Sequence, residues 1–550
     1  MMRRSLTTLL VIASVFVAGS AEACHLSGPS LQIMRRLAIQ YNGRVKPFDS
    51  FAREVLTQMT GEEQWQGQDP TTTVLSLVGH PDQWQSVSWL SVPFGPLREK
   101  IGVDRKATHV SYADLMRTKA LMRLLPSIAA KQQRDEKLTM LEQETMDLYY
   151  RFVTFSGLMN GEGLRLVPPG SAIEREWQPI DQPARFPAEQ AQGITALWSR
   201  LTTATPRWDV GADVALTSQL AAALRALNPA AYPAPWRLEL ECLYNHVKPF
   251  RIAWQIYGIA ILCLLMDVTK MGRGWGGIGI AFVVAGLMVH AGGIVTRIVL
   301  AGRAPVSNMY ETMFWLAFVL VATALVFEAI YRARLFALAA SVVAVITLAL
   351  ADHLPLDPSL SPLVAVLRSN KWLTIHVLTI VASYGALSLA TGLAHIYGVF
   401  YIATRGRHTS LAQQELFLYR AIQVGVLLLA PGIMLGGVWA NASWGRYWGW
   451  DPKETWALIT LLWFVAIVHG RFAGWLRGVG VAVSTIGGFL LLLMTYYGVN
   501  YFLVGLHSYA GGHAKPMSPL LIGYLLAEAA FIVWIGLVAR RRHAPKTRHA

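Results

Sequence analysis

From Arg251 onward the chain alternates long apolar runs with short polar connections. Nine runs stand out, at about 252–268, 276–298, 311–330, 335–351, 373–402, 422–440, 456–472, 479–503 and 519–538. Each is long enough, as a helix, to cross a hydrocarbon layer of about 30 Å. Basic residues cluster after every second run: Lys270/Arg273, Arg332/Arg334, Arg405/Arg407/Arg420, Arg471/Arg477, and Arg540-Arg541-Arg542 with Lys546 and Arg548. The positive-inside rule puts these clusters on the cytoplasmic side. The connections 303–310, 352–372, 441–455 and 504–518 then lie outside. Residues 24–250 have ordinary polarity, with apolar positions at helical spacing in 31–59, 112–130, 138–158 and 190–201, which predicts a mostly helical extracytoplasmic domain. Ahead of it, Arg3-Arg4, the apolar run 6–19 and Ala21-Glu22-Ala23 have the form of an export signal peptide or signal anchor. The expected fold is an all-α polytopic membrane protein: signal or anchor 1–23, extracytoplasmic domain 24–250, transmembrane domain 251–540 and a basic cytoplasmic tail 541–550.

Composition narrows the function. With 54% hydrophobic and 15% charged residues and a mean hydropathy of +0.39, the chain is not a wholly soluble enzyme. The net charge of +15 is spent largely at the ends of apolar runs, so nucleic-acid binding does not follow from it. Three cysteines, Cys24, Cys242 and Cys263, form no C-x-x-C pair, which argues against thiol-disulfide chemistry and against covalent haem attachment to this chain. The domain 24–250 contains loops such as Val167-Pro168-Pro169-Gly170 but no nucleotide loop, metal cluster or catalytic triad.

The connection after the sixth run is different. Residues 439–456 hold five tryptophans, Trp439, Trp444, Trp448, Trp450 and Trp456, together with Tyr447. Indoles favour membrane interfaces, and Asp451-Pro452-Lys453-Glu454 has the residues of a helix start. Neither fact explains the density. A slab of indoles suits a large flat apolar ligand whose polar edge is met by indole N–H groups, Arg446 or Lys453. Haem, a flat macrocycle with two carboxylates, has that shape.

Iron held from both faces of such a ring needs two neutral imidazoles. His376 lies just inside the outer end of the fifth run and His507 follows the outer end of the eighth, both level with the tryptophan loop. His290 and His469 fall inside apolar runs, where an ionisable group is costly and points to function. At about 1.5 Å per residue each is roughly 20 Å from opposite faces, so they match less well in depth. A hydrogen-bonded structural histidine is the plain alternative for both. His395, His353, His513, His408, His543 and His549 read as solvated or interfacial. Arg297, Arg303, Arg368, Lys371 and Lys453 are candidates for haem carboxylates, lipid phosphates or an acidic partner surface.

The segment Trp444-Gly445-Arg446-Tyr447-Trp448-Gly449-Trp450-Asp451-Pro452-Lys453-Glu454-Thr455-Trp456 resembles the WWD motif of haem-handling proteins in cytochrome c maturation. Its Asp-Pro-Lys-Glu-Thr ending is similar to the CcsA (ResC) type of the system II pathway. The resemblance covers roughly residues 251–540. It implies haem b bound non-covalently by bis-His iron sites, with His376 and His507 outside and His290 and His469 in the membrane. Trp444, Tyr447, Trp448, Trp450 and Asp451 would be the haem-binding residues of the motif. The activity implied is that of a cytochrome c haem lyase or synthetase component in the bacterial cytoplasmic (inner) membrane. Such a protein exports haem and presents it at the outer site, where His376 and His507 take the catalytic part, to an apocytochrome c with a C-x-x-C-H motif. Members of this type work with a ResB (CcsB) subunit, and since residues 24–250 do not map onto it, a separate partner chain is expected. Pro305-Val306-Ser307-Asn308-Met309-Tyr310-Glu311 resembles a short polar motif that precedes a span in the same family; its plain reading is helix capping by Ser307 or Asn308.

Two other functions compete. A haem-retaining b-type electron-transfer protein usually pairs histidines on two facing helices, and here only the fifth run has two, His376 and His395. A polytopic solute transporter would suit the number of spans, but inverted repeats are not evident and intramembrane acids are few.

Overall fold

The computed structural model describes residues 28–543 except 135, 171–174, 182–185, 204–213, 273, 355, 363–369, 504 and 506–516. The expected signal segment, Cys24, Arg368, His507, His513 and most of the basic tail therefore lie outside the described residues. The chain divides into two compact units, Met1–His246 and Val247–Ala550.

In the N-terminal unit the stretch 31–59 is not one helix. It forms a helix Pro29–Arg35, an antiparallel hairpin of β1 (Ala38–Tyr41) with β2 (Arg44–Pro47), and a helix Phe48–Thr60. The hairpin reverses at Asn42-Gly43, with φ of 50° and 74°, a two-residue turn whose left-handed backbone suits the twist of the strands. Four-residue strands are too short for their alternation to outweigh the helical spacing around them. A second hairpin pairs β3 (Ser88–Ser91) with β4 (His109–Ser111). The stretch 112–130 breaks at Lys119, φ 52°, between helices Tyr112–Thr118 and Ala120–Gln133. Helices Met140–Met159 and Ala188–Thr203 follow the other two periodic stretches. Phe48, Phe51, Trp89 and Phe155, all fully buried, belong to one core that draws the helices and both hairpins together. Beside them Lys46 pairs with Glu54 at 2.6 Å, and Ser50 donates to Glu241 at 2.6 Å, which also accepts from Arg44 at 2.7 Å.

Among the described residues nine helices are long and apolar enough to cross a membrane: Pro235–Val268, Trp275–Ala301, Met309–Tyr331, Leu335–His353, Lys371–Thr404, Leu411–Trp444, Pro452–Phe472, Val479–Phe502 and Pro519–Arg541. They are called the first to ninth spans below. The first breaks at Lys248, φ 48°, ahead of Pro249. The sixth runs eleven residues further at its start than its apolar run, because the polar stretch 411–421 stays helical while Phe417, Leu418 and Ala421 remain buried. The protein is an all-α, multi-pass membrane protein.

The fifth span is the hub, packing on the third, fourth, sixth and eighth. Its approach to the sixth depends on glycines. A Cβ at Gly425 would strike the Leu387 side chain, one at Gly432 would stand 3.1 Å from Ile380, and one at Gly436 would stand 2.7 Å from Cε1 of His376. Small residues let helices in lipid approach to backbone contact, and this seam fixes the height of His376.

Candidate functional site

His376 is half-buried near the start of the fifth span. Its Nδ1 donates to the Gly432 carbonyl at 2.9 Å, one residue beyond Pro431 in the sixth span. That hydrogen bond assigns the proton to Nδ1 and the lone pair to Nε2, the arrangement in which a histidine can ligate a metal. The ring lies parallel to the Trp439 indole, 10° between planes and 6.1 Å between centroids. Trp439 is 3% exposed and meets Trp444 edge to face at 4.8 Å.

Trp439 and Trp444 complete the helix of the sixth span, which ends on Gly445 with φ 72°. Only 445–451 is irregular. The segment folds back, since a Cβ at Gly437 would stand 3.1 Å from the Tyr447 carbonyl. Trp448 and Trp450 meet edge to face at 5.7 Å. Tyr447 and Trp450 are 64% and 70% exposed, and Trp450 holds a left-handed φ of 57°, a conformation that costs a bulky residue about 1 kcal/mol or more. Two exposed aromatic rings on one short segment, one of them on a strained backbone, suit a contact surface.

Asp451 caps the seventh span and is buried. Glu454 completes the capping box, accepting from the backbone N–H of Gly449 at 2.8 Å and of Asp451 at 3.2 Å. Two peptide groups of the tryptophan segment are thereby tied to the helix start. The eighth span widens into a π-helical turn, Met494–Gly498, a feature common at functional sites. Lys453 donates to the Tyr496 carbonyl at 3.4 Å and to Asn500 Oδ1 at 3.3 Å, and Thr495 Oγ1 donates to the Trp456 carbonyl at 3.0 Å. Beyond the eighth span, a Cβ at Gly505 would stand 2.5 Å from Asp451 Oδ1. His507 lies outside the described residues.

The other two histidines are not brought together. His290 is fully buried among Phe250, Tyr257 and Phe318. Its Nδ1 faces the Tyr257 hydroxyl at 3.4 Å. The Phe314 backbone also acts on the ring, but Nε2 makes no hydrogen bond of normal geometry. His469 is exposed in the last turn of the seventh span and donates from Nδ1 to Val465 of its own helix at 2.8 Å. Because that helix begins at Pro452, His469 sits about 25 Å along it, deeper than the apolar run alone indicates. The second span packs on the first, third and fourth, and the seventh on the sixth and eighth.

Of the basic candidates, Arg297 and Arg303 are engaged. Both bind Glu311, at 3.0 and 2.9 Å, and they donate to the carbonyls of Pro358, Ser359 and Ser361. Asn308 caps the third span by accepting from Glu311 N–H at 2.8 Å. The polar motif before this span is therefore a clip for the connection 357–361. Lys371 is exposed beside the Trp372 ring.

His395, read as solvated or interfacial, is half-buried and has partners on both ring nitrogens. Its Nδ1 meets the Thr391 carbonyl at 2.8 Å and its Nε2 meets both oxygens of Glu528 at 3.1 Å. Both partners are acceptors, so both ring nitrogens donate and no lone pair remains for a metal. The ring stacks on Phe531 at 5.3 Å, which ties the fifth span to the ninth. The lone carboxylate of the ninth run was the available signal.

The donors beside the tryptophan segment fit a haem: an imidazole oriented by a carbonyl, with aromatic rings packed against it. The cytochrome c assembly protein family matches residues 306–507, which include His376, His469 and His507. NrfI of Wolinella succinogenes is 28% identical over 506 residues, covering 86% of this chain and 54% of NrfI. The cytochrome c biogenesis protein CcsA of Prochlorococcus marinus is 35% identical over 247 residues, 38% of this chain and 77% of CcsA. CcsA of Chlorella vulgaris is 35% identical over 254 residues, 39% of this chain and 80% of CcsA. The chain thus spans about half the length of NrfI and most of the length of CcsA.

Proposed function

The chain belongs to the CcsA family of cytochrome c biogenesis proteins, and from that premise we propose that it binds haem, carries it across the cytoplasmic membrane and presents it at the tryptophan segment for attachment to apocytochrome c. The observation that carries this reading is His376, fixed by the Gly432 carbonyl and lying parallel to Trp439 at the foot of the segment. His376 and His507 are the ligands proposed for the outer site, and His290 and His469 those for the site within the membrane. Haem supplies the iron that two imidazoles hold low-spin and the vinyl groups that become thioethers.

The chain's own residues supply position and cover. Gly432 holds the tautomer of His376, Trp439 limits its rotation, and Trp448, Trp450 and Tyr447 offer ring faces that shield a flat ligand from water. An apocytochrome C-x-x-C-H segment brings two thiols and a histidine. Each thiol adds across a vinyl group, forming one C–S bond and placing its hydrogen on the adjacent carbon, with no net oxidation. In this reading the tryptophan segment and the N-terminal unit face the periplasm of a bacterial inner membrane, the pathway is system II, and a separate ResB (CcsB) type subunit completes the synthetase.

The test is maturation itself. Cells lacking their own cytochrome c maturation, given this chain together with a ResB (CcsB) type subunit and an apocytochrome c bearing C-x-x-C-H, should yield protein heavier by one haem with both thioethers formed. His376→Gly should reduce that product to background while the membrane protein accumulates normally. Product independent of His376 would overturn the proposal.

A retained b-type electron-transfer role is disfavoured by His395. Its two nitrogens are committed to Thr391 and Glu528, so the fifth span offers one ligating histidine rather than two.

A further inference from the structure

The tryptophan segment hangs between two anchors. One is the end of the sixth span, where Trp439 meets His376. The other is the start of the seventh span, and its position is set by contacts with the eighth. Lys453 stands at the second helical residue after the Asp451 cap. Its ammonium group reaches away from the segment to the Tyr496 carbonyl and Asn500 Oδ1, with Nζ 6.0 Å from the Tyr496 ring centroid. Asn500 Nδ2 donates to the same Tyr496 carbonyl at 2.7 Å. Two turns further along, Thr460 meets Thr495 hydroxyl to hydroxyl at 2.8 Å, and Thr495 reaches the Trp456 carbonyl. Every one of these contacts falls on the π-helical turn or on the residues that follow it.

The geometry makes that turn consequential. A π-helical turn holds one more residue than an α-helical one, and one residue is about 100° of rotation. Whether 494–498 is wound as π or α therefore decides which face of the eighth span Asn500 presents, and where the chain leaves the span to pass Asp451 at Gly505. Gly498 belongs to the device, because a Cβ there would collide with the Met494 sulfur. Tyr496 adds a lateral brace, its hydroxyl meeting Thr312 of the third span at 2.8 Å.

We infer that Lys453 is a positioning residue: by holding Asn500 and the Tyr496 carbonyl of the π-helical turn, it fixes the start of the seventh span and so the placement of the tryptophan segment over His376. Of the basic residues near this end of the bundle, Arg297 and Arg303 serve the Glu311 clip, whereas Lys453 links the segment's own helix to the eighth span. It acts through the segment and not on the ligand.

The inference rests on the proposed outer site, and the experiment separates the two. Lys453→Met, Asn500→Leu and Asn500→Asp would be compared with wild type, the last keeping an acceptor for the ammonium. Hydrogen exchange of the haem-free protein in detergent should rise over 494–503 by at least about tenfold in Lys453→Met and Asn500→Leu, the size expected for losing a hydrogen bond to a charged group. Asn500→Asp keeps the acceptor for Lys453 but loses the Nδ2 donor to the Tyr496 carbonyl, and its protection should fall between wild type and Asn500→Leu. In haem-loaded protein, Lys453→Met should move iron from low to high spin, with free imidazole restoring low spin. Wild-type exchange and a wild-type spectrum in folded Lys453→Met, on a background where His376→Gly does alter the spectrum, would overturn the inference alone. A spectrum indifferent to His376→Gly would overturn the outer site and the positioning role with it.

Discussion

His376 has its orientation from two contacts that hydropathy does not reveal. The Gly432 carbonyl takes its Nδ1 proton, and Gly436 leaves room for its ring. Gly436→Ala would put a methyl group 2.7 Å from Cε1 and should displace the imidazole from Trp439. Haem bound by the purified variant should fall in the reduced absorption spectrum, and Gly258→Ala, where no atom lies within 4 Å, should behave as wild type. Equal haem content in both variants would show that the seam does not set the ligand. The candidate histidines and the Asp451 cap are legible in the sequence because residue type, depth and a Pro452-x-Glu454 helix start are local signals. The glycine seam, the Glu311 clip and the Asn500 contact are not, because each depends on which helices become neighbours.

At the scale of elements, caps and pairs carry separate predictions. The helix Met140–Met159 begins with Thr139 and Glu142, and the Lys131 ammonium together with the Thr139 N–H lowers the Glu142 carboxyl from 4.5 to about 2. A carboxyl depressed in the fold stabilises it fully above its unfolded value and loses that contribution as pH falls through the folded value. The stability difference between wild type and Glu142→Gln should therefore be constant above about pH 4.5 and shrink toward pH 2. A difference that grows with acidity would refute the assignment. Between the fifth and ninth spans, Glu528→Leu removes the carboxylate that His395 Nε2 meets, the half-buried ring sheds its proton, and the lost hydrogen bond should cost about 1 kcal/mol in denaturant unfolding. His395→Leu combined with Glu528→Leu should recover most of the loss. His395→Gly should leave bound haem unchanged, with no response to imidazole. The pair shows what periodicity reads and misses: the nine spans follow from hydropathy, the partner of His395 does not, and the short strands β1 and β2 yield to the helical spacing around them.

On the scale of the molecule, two units share one chain. The match to NrfI covers more residues than Val247–Ala550 contains, so it extends into the N-terminal unit and that unit has a counterpart in a relative. The matched cytochrome c assembly region runs from the Glu311 clip to His507 and brackets the tryptophan segment. In the proposed function this region holds haem through His376. That ligation is tested most directly by the reduced absorption spectrum of the purified, detergent-solubilised protein, wild type beside His376→Gly, with and without imidazole. A b-type spectrum is expected in wild type, weakened by the substitution and restored by imidazole. Protein without haem, or haem indifferent to His376, would contradict it.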